Sequence, residues 1–131
     1  MAAVAGFLGL IAAVVFGLGD RSTFVSPPEA VVEDLVRAAE CRRYPQAMKY
    51  FTADARQRLS PDSVAEATRR LESRVGRIED VKGEPGWMAG DDAQAFALIR
   101  TNQRDEVRLP MRLHREKGEW RVMGLEGLAP E

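Results

Sequence analysis

From Ala2 to Gly19 the chain carries no charged and no strongly polar side chain, and Asp20 and Arg21 follow at once. A helical run of about 18 residues spans about 27 Å, close to the thickness of a bilayer's hydrocarbon core. Residues 1–20 therefore read as a single N-terminal transmembrane helix. A cleaved signal peptide is the rival, because Gly17, Leu18 and Gly19 offer a small-residue cleavage site. Against it, no Lys or Arg precedes the run, whereas a signal peptide wants a basic start. No cysteine follows closely, which excludes a lipoprotein anchor.

Within the run, Ala5, Gly9, Ala13 and Gly17 recur at steps of four and draw a stripe of small residues along one helix face. Such a stripe lets a second helix backbone approach closely, the packing that drives association in lipid; frequent Ala and Gly falling into register by chance is the plainer account. Residues 21–26 form a short tether. With Asp20 they reach at most roughly 23 Å when fully extended, so the domain at 27–131 sits close to the membrane. The expected location is the membrane, single-pass, with the domain on the extracytoplasmic (periplasmic) side.

Composition narrows the rest. Nineteen Lys and Arg against twenty Asp and Glu leave a net charge of −1, which gives no bulk attraction to nucleic acid. One cysteine, Cys41, excludes an internal disulfide, and with one histidine, His114, it cannot build a tetrahedral zinc site alone. No cofactor or metal is expected.

Behind the tether, Ser26, Pro27, Pro28 and Glu29 read as a helix start, with Ser26 as cap and Glu29 closing a capping box. Val32, Leu35, Val36 and Ala39 follow at helical spacing. Pro45 is expected to break that helix near Arg43 or Tyr44, with a short helical piece from Gln46 to Phe51. A second start at Ser60 and Pro61 leads a stripe of Val64, Ala67, Leu71 and Val75, stopped by Gly76. Arg69, Arg70 and Arg74 lie off that stripe with Glu66 and Glu72, as a solvated face. After Gly76 the period falls to two: Arg77 to Lys82, then a turn-rich Gly83 to Asp92, then strands over Ala93 to Thr101, Glu106 to Arg115 and Glu119 to Leu125. Lys117 and Gly118 make a two-residue hairpin turn. Helices followed by antiparallel strands give an α+β domain.

Ser-Pro-Pro-Glu-Ala-Val-Val-Glu-Asp-Leu-Val at the domain start, Pro-Gln-Ala-Met-Lys-Tyr-Phe soon after, and Lys-Gly-Glu-Trp-Arg-Val near the end resemble the nuclear transport factor two-like superfamily, in particular its small membrane-tethered or exported bacterial members. The resemblance covers about residues 26 to 125. It implies a cone-shaped fold with helices packed into a curved antiparallel sheet. Some members are enzymes, such as ketosteroid isomerases, dehydratases and polyketide cyclases, with Asp, His or Tyr inside the cone; others only bind partners or ligands.

The hairpin turn fixes a pairing in which Arg115 faces Trp120, His114 faces Arg121, Leu113 faces Val122 and Arg112 faces Met123. One face then carries Val107, Leu109, Met111, Leu113, Trp120 and Val122 and becomes the core. Arg115 at its edge is placed over Trp120. An even-length turn around Gln103 and Arg104 would add Phe96 and Leu98 to the core and send Ala95, Ala97 and Ile99 outward. The outer face gathers Arg108, Arg112, His114 and Arg121, cations that repel one another by a few tenths of a kcal/mol per pair. That patch is either a solvated sheet face or a docking surface for a carboxylate-rich or phosphate-rich partner.

His114, the natural general base, thus points away from the cone, and the inward positions of the last two strands are apolar. Tyr44, Tyr50 and Asp54 are the alternative cavity group at the open end, with Asp54 and Tyr50 as acid and hydrogen-bond pair. Cys41 reads as a small buried hydrophobe. Trp87, in the turn-rich segment, could be a lid, an interfacial anchor or loop packing. The expectation is a non-enzymatic, membrane-anchored interaction module, an accessory or stabilising subunit of a larger energy-transducing, secretion or envelope complex. Its partners would be other membrane protein subunits and, through the N-terminal helix, the lipid bilayer, with no nucleic acid and with dimerisation left open. The alternative is a small-molecule-binding protein or a lyase or isomerase using the cone cavity.

Overall fold

The computed structural model describes residues 25–128. The anchor and its stripe Ala5, Gly9, Ala13 and Gly17 lie outside them. Among the described residues no helix is long and apolar enough to cross a membrane.

Four helices precede four strands: α1 (Pro28–Glu40), α2 (Tyr44–Ala47), a 3₁₀ turn (Met48–Tyr50), α3 (Ala53–Arg58), α4 (Pro61–Val75), β1 (Ile78–Ala89), β2 (Asp92–Thr101), β3 (Glu106–Glu116) and β4 (Glu119–Val122). The strands form one antiparallel sheet in the order β1-β2-β3-β4. Helix α1 lies across it, and α2 and α4 pack behind α1. The core is Val32, Leu35, Val36 and Ala39 from α1, Val64 and Leu71 from α4, Phe51, and the inward side chains of the sheet.

Helix α1 begins one residue later than the sequence suggests. Pro27 is its N-cap, with no side-chain cap, so the Ser26–Glu29 capping box does not form. The box appears at α4 instead, where Ser60 and Ser63 exchange hydrogen bonds. Pro45 does not end α1, which stops at Glu40; it sits in the first turn of α2, where a missing N–H costs nothing. Helix α3 is additional, capped by Thr52, whose hydroxyl accepts from the Ala55 N–H at 3.1 Å. Cys41 caps α1 and is exposed rather than buried.

The segment from Gly83 to Ala89 is strand, not turn; the turn is Gly90 and Asp91 alone. Strand β1 lies at the sheet edge, where Pro85 can sit without a ladder N–H, and it bulges between Pro85 and Met88. Gly83 is required by proximity: a Cβ there would collide with the backbone carbonyl of Glu29 in α1. The far edge, β4, is covered by a bridge between Phe51 and Val122 and by the Thr52 N–H bonded to the Val122 carbonyl at 2.9 Å. Lys117 (φ 52°) and Gly118 (φ 81°) form the expected tight turn, with positive φ at both central positions.

The register of β2 differs from expectation. Arg100 pairs with Glu106, so the connection holds an odd number of residues, and Ala97 faces Leu109 while Ala95 faces Met111. Ala93, Ala95, Ala97 and Ile99 are buried under the helices, and Phe96 and Leu98 lie half-buried on the outer face. The Thr101 N–H bonds the Asp105 carbonyl and closes this five-residue loop. Alanines beneath α1 leave room for its close approach to the sheet, which Phe96 and Leu98 would prevent.

Candidate functional site

The β3–β4 pairing is as expected: Leu113 faces Val122, His114 faces Arg121, Arg115 faces Trp120, and the Met123 N–H reaches the Arg112 carbonyl. The Arg115 guanidinium lies 4.6 Å from the Trp120 ring centroid. Arg108, Arg112, His114 and Arg121 accordingly share the outer sheet face, at alternate positions of β3 and on β4.

The structure adds carboxylates to three of these cations, two from other strands and one from β4 itself. Arg108 bonds Glu84 at 3.1 Å and stacks 4.5 Å from the Phe96 centroid. Arg121 bonds Glu119. His114 Nδ1 lies 2.9 Å from Asp92 Oδ1, and this carboxylate raises the imidazole pKa above its ordinary value. Arg112 differs: it stands 5.6 Å from the Trp87 ring centroid, and no carboxylate lies within ion-pair distance of it among the described residues. Two cations over two aromatic rings, with Leu98, Pro110 and Met123 nearby, make a floor that is apolar and cationic together. The sequence showed the cations but not Phe96, Leu98 or Asp92, which depend on the β2 register, nor Glu84, which depends on residues 83–89 being strand.

Tyr44, Tyr50 and Asp54 do not assemble. The Tyr44 hydroxyl accepts from Arg42 at 3.3 Å. Asp54 is 81 % exposed and paired with Arg58 along α3. Tyr50 alone reaches a solvent-open cleft of about 880 Å³, walled by Val31 and Asp34 of α1 and by Arg115, Trp120 and Arg121 at the hairpin. Nothing in the sequence marked Asp34 as part of it.

Among the described residues no acid or base is fully buried. Among the described residues the buried polar side chains are Thr52, Thr68 and Thr101. Thr52 caps α3, Thr68 donates to the Val64 carbonyl at 2.8 Å, and Thr101 accepts from the Gln103 N–H at 3.3 Å. No group of His, Cys, Asp and Glu able to hold a metal ion occurs among the described residues.

Helices laid into a curled antiparallel sheet, with the sheet's other face open, define the nuclear transport factor two-like (NTF2-like) fold. The match to solved structures bears this out: a Campylobacter jejuni protein designated an NTF2-like transpeptidase superposes with a TM-score of 0.57 at 20% identity, covering 75% of this chain and 98% of its own. At that identity the likeness establishes the fold alone. No family model and no curated protein matches the sequence.

Proposed function

We propose that this protein is a non-enzymatic, membrane-tethered NTF2-like module that braces a larger membrane protein complex through the outer face of its sheet. The observation that carries the reading is Arg112 stacked on Trp87, a cation without a carboxylate, on a face that also exposes Met123 and half-exposes Phe96 and Leu98. Arg with aromatic neighbours is the composition that concentrates binding energy at protein interfaces. The fitting partner is a subunit that offers a carboxylate beside apolar side chains.

The enzymatic alternatives lack a supporting group. A lyase or isomerase needs an acid and a base set against each other around a substrate; the buried polar side chains are hydrogen-bonded threonines, and in the open cleft Asp34 and Tyr50 make no hydrogen bond to one another. A transpeptidase, the designation of the Campylobacter protein, needs a nucleophile with a base in reach. The Ser60 and Ser63 hydroxyls are engaged in the α4 cap and Ser73 donates to the Arg70 carbonyl; His114 is held through Nδ1 by Asp92, and among the described residues no serine or threonine hydroxyl and no Cys41 thiol is hydrogen-bonded to its imidazole.

The test is site-specific photo-crosslinking in the native membrane, with the probe at Leu98 on the outer face or at Arg69 on α4. Crosslinking to a membrane protein subunit from Leu98 and not from Arg69 is expected. A full-length chain that purifies alone in mild detergent and crosslinks from neither position would remove the reading. In the anchor, Gly9→Leu or Ala13→Leu should weaken assembly while Leu10→Ile should not.

A further inference from the structure

The sheet has two unlike ends. Ala89, Asp92, His114 and Arg121 stand side by side across the four strands, so the Gly90–Asp91 turn and the Lys117–Gly118 turn project from the same end. The connection through Asn102 and Gln103 lies at the other, separated by the length of β3, Glu106–Glu116, or about 33 Å at a strand's rise per residue. Val25, where the described chain begins, lines the cleft together with Lys117, Gly118 and Glu119 at the first end.

Five residues, Asp20 to Phe24, separate Val25 from Gly19, the last residue of the uncharged run. Those six steps reach at most about 22 Å when fully extended. A tether of that length holds the hairpin end at the bilayer surface and leaves the Gln103 end far from it. The side chains at the near end fit that position. Trp87 and Met88, 45 % and 57 % exposed, lie close to the Gly90–Asp91 turn. Tryptophan favours the headgroup layer, where an apolar ring with one polar edge is accommodated. Four of the acids at this end are already engaged: Asp92 with His114, Asp91 with Arg115 at 4.0 Å, Glu119 with Arg121, and Glu116 with the Ala53 N–H. Asp34, in the cleft wall, is a fifth acid and has no cation within ion-pair distance among the described residues. Lys117, at the tip of the hairpin, has no carboxylate within ion-pair distance among the described residues.

We infer that the end of the domain bearing the Gly90–Asp91 and Lys117–Gly118 turns docks against the lipid headgroups of the bilayer that the N-terminal segment enters, with Trp87 and Met88 in the interface and Lys117 facing lipid phosphate. This rests on the anchor reading proposed above. The outer sheet face beyond Trp87, with Phe96, Leu98 and Arg108, then stands upright from the membrane and is free to meet the side of a neighbouring subunit, and Arg112 on Trp87 marks where that contact meets the headgroup layer.

The experiment uses the full chain reconstituted in phosphatidylcholine vesicles containing phosphatidylglycerol, with Cys41→Ser removing the native thiol. A fluorophore is placed through Asp91→Cys at the near end or Gln103→Cys at the far end, and quenching by a headgroup-attached nitroxide lipid is read. Several-fold stronger quenching at position 91 than at 103 is expected. Equal or reversed quenching in a chain that floats with the vesicles overturns the orientation and leaves the anchor intact. A chain that does not float overturns both. Near-ultraviolet circular dichroism of each labelled variant establishes that the fold compared is the same.

Discussion

His114 and Asp92 face each other across adjacent strands, with the imidazole Nδ1 2.9 Å from the carboxylate Oδ1. The carboxylate favours the imidazolium, so the folded-state pKa lies above the ordinary histidine value of about 6.5. A raised pKa fixes the sign of the linkage: the pairing contributes fully below about pH 6.5 and is lost as pH rises through the folded value. Because the chain has one histidine, a single imidazole resonance reports the titration. Asp92→Asn should move that midpoint back toward the ordinary value. An unchanged midpoint would mean that the 2.9 Å contact does not persist in solution.

Glu33 is the hinge point between α1 and the sheet edge. Its carboxylate accepts the Gly83 N–H at 2.9 Å and pairs at 2.8 Å with Arg37, whose guanidinium also donates to the Val81 carbonyl. The Gly83 N–H, and then Arg37, hold the Glu33 pKa below the ordinary carboxylate value. For a depressed pKa the stabilisation is present above about pH 4.3 and is lost as pH falls through the folded value. Glu33→Gln should cost about 1 kcal/mol at neutral pH, discounted for the solvent around the pair, and should flatten the acid limb of stability. Urea midpoints of the 25–131 domain over a pH series read both effects, and an acid limb identical to that of the parent would exclude Glu33 as a contributor.

The β2 register makes a sharper prediction. Ala97 is fully buried beneath the helices and Leu98 half-buried on the outer face. Ala97→Leu overpacks the space under α1 and should destabilise by about 1–3 kcal/mol. Leu98→Ala should cost about 1 kcal/mol, since it removes a side chain that water already reaches. In the opposite register Leu98→Ala would empty the core and cost about 2–5 kcal/mol. Denaturant unfolding of the two variants decides between them.

The same strand shows where sequence is a sufficient guide. The β3–β4 pairing was legible because two residues, Lys117 and Gly118, specify a tight turn, and a tight turn sets every cross-strand partner after it. The loop after Thr101 has no such marker: an even and an odd length are equally compatible with Asn102, Gln103, Arg104 and Asp105, and one residue inverts all of β2. An even turn places Phe96 and Leu98 in the core, whereas the odd loop puts the alanines beneath α1. Pro85 and Gly86 misled in the same way, since turn residues are also edge and bulge residues. The shared face of the cations was legible because they lie on β3 and β4; the aromatic floor, Glu84 and Asp92 were not, because they come from β1 and β2.

The outer face yields the last prediction, which concerns Arg112 and Arg121 together. Arg112 is fixed over Trp87 without an acidic partner, and Arg121 holds Glu119 two residues away. Arg112→Glu with Arg121→Glu inverts two charges on a face that lies opposite the core, and Glu119 would then repel the new carboxylate rather than bind it. Arg112 is exposed and Arg121 half-buried; surface substitutions of this kind usually change stability by less than about 0.5 kcal/mol, so the 25–131 domain should unfold within about 4 °C of the parent. Recovery of the partner subunit should fall by tenfold or more, and attachment of the parent chain should weaken as salt is raised, because contacts between exposed charges are screened. Exchanging Arg69 and Arg70 on α4 for Glu serves as the control, since these arginines pair with Glu66 away from the sheet and should leave recovery unchanged. A double variant that folds and recovers its partner as the parent does would move the docking surface away from the sheet, and would leave the proposed N-terminal anchor as the element that holds the complex.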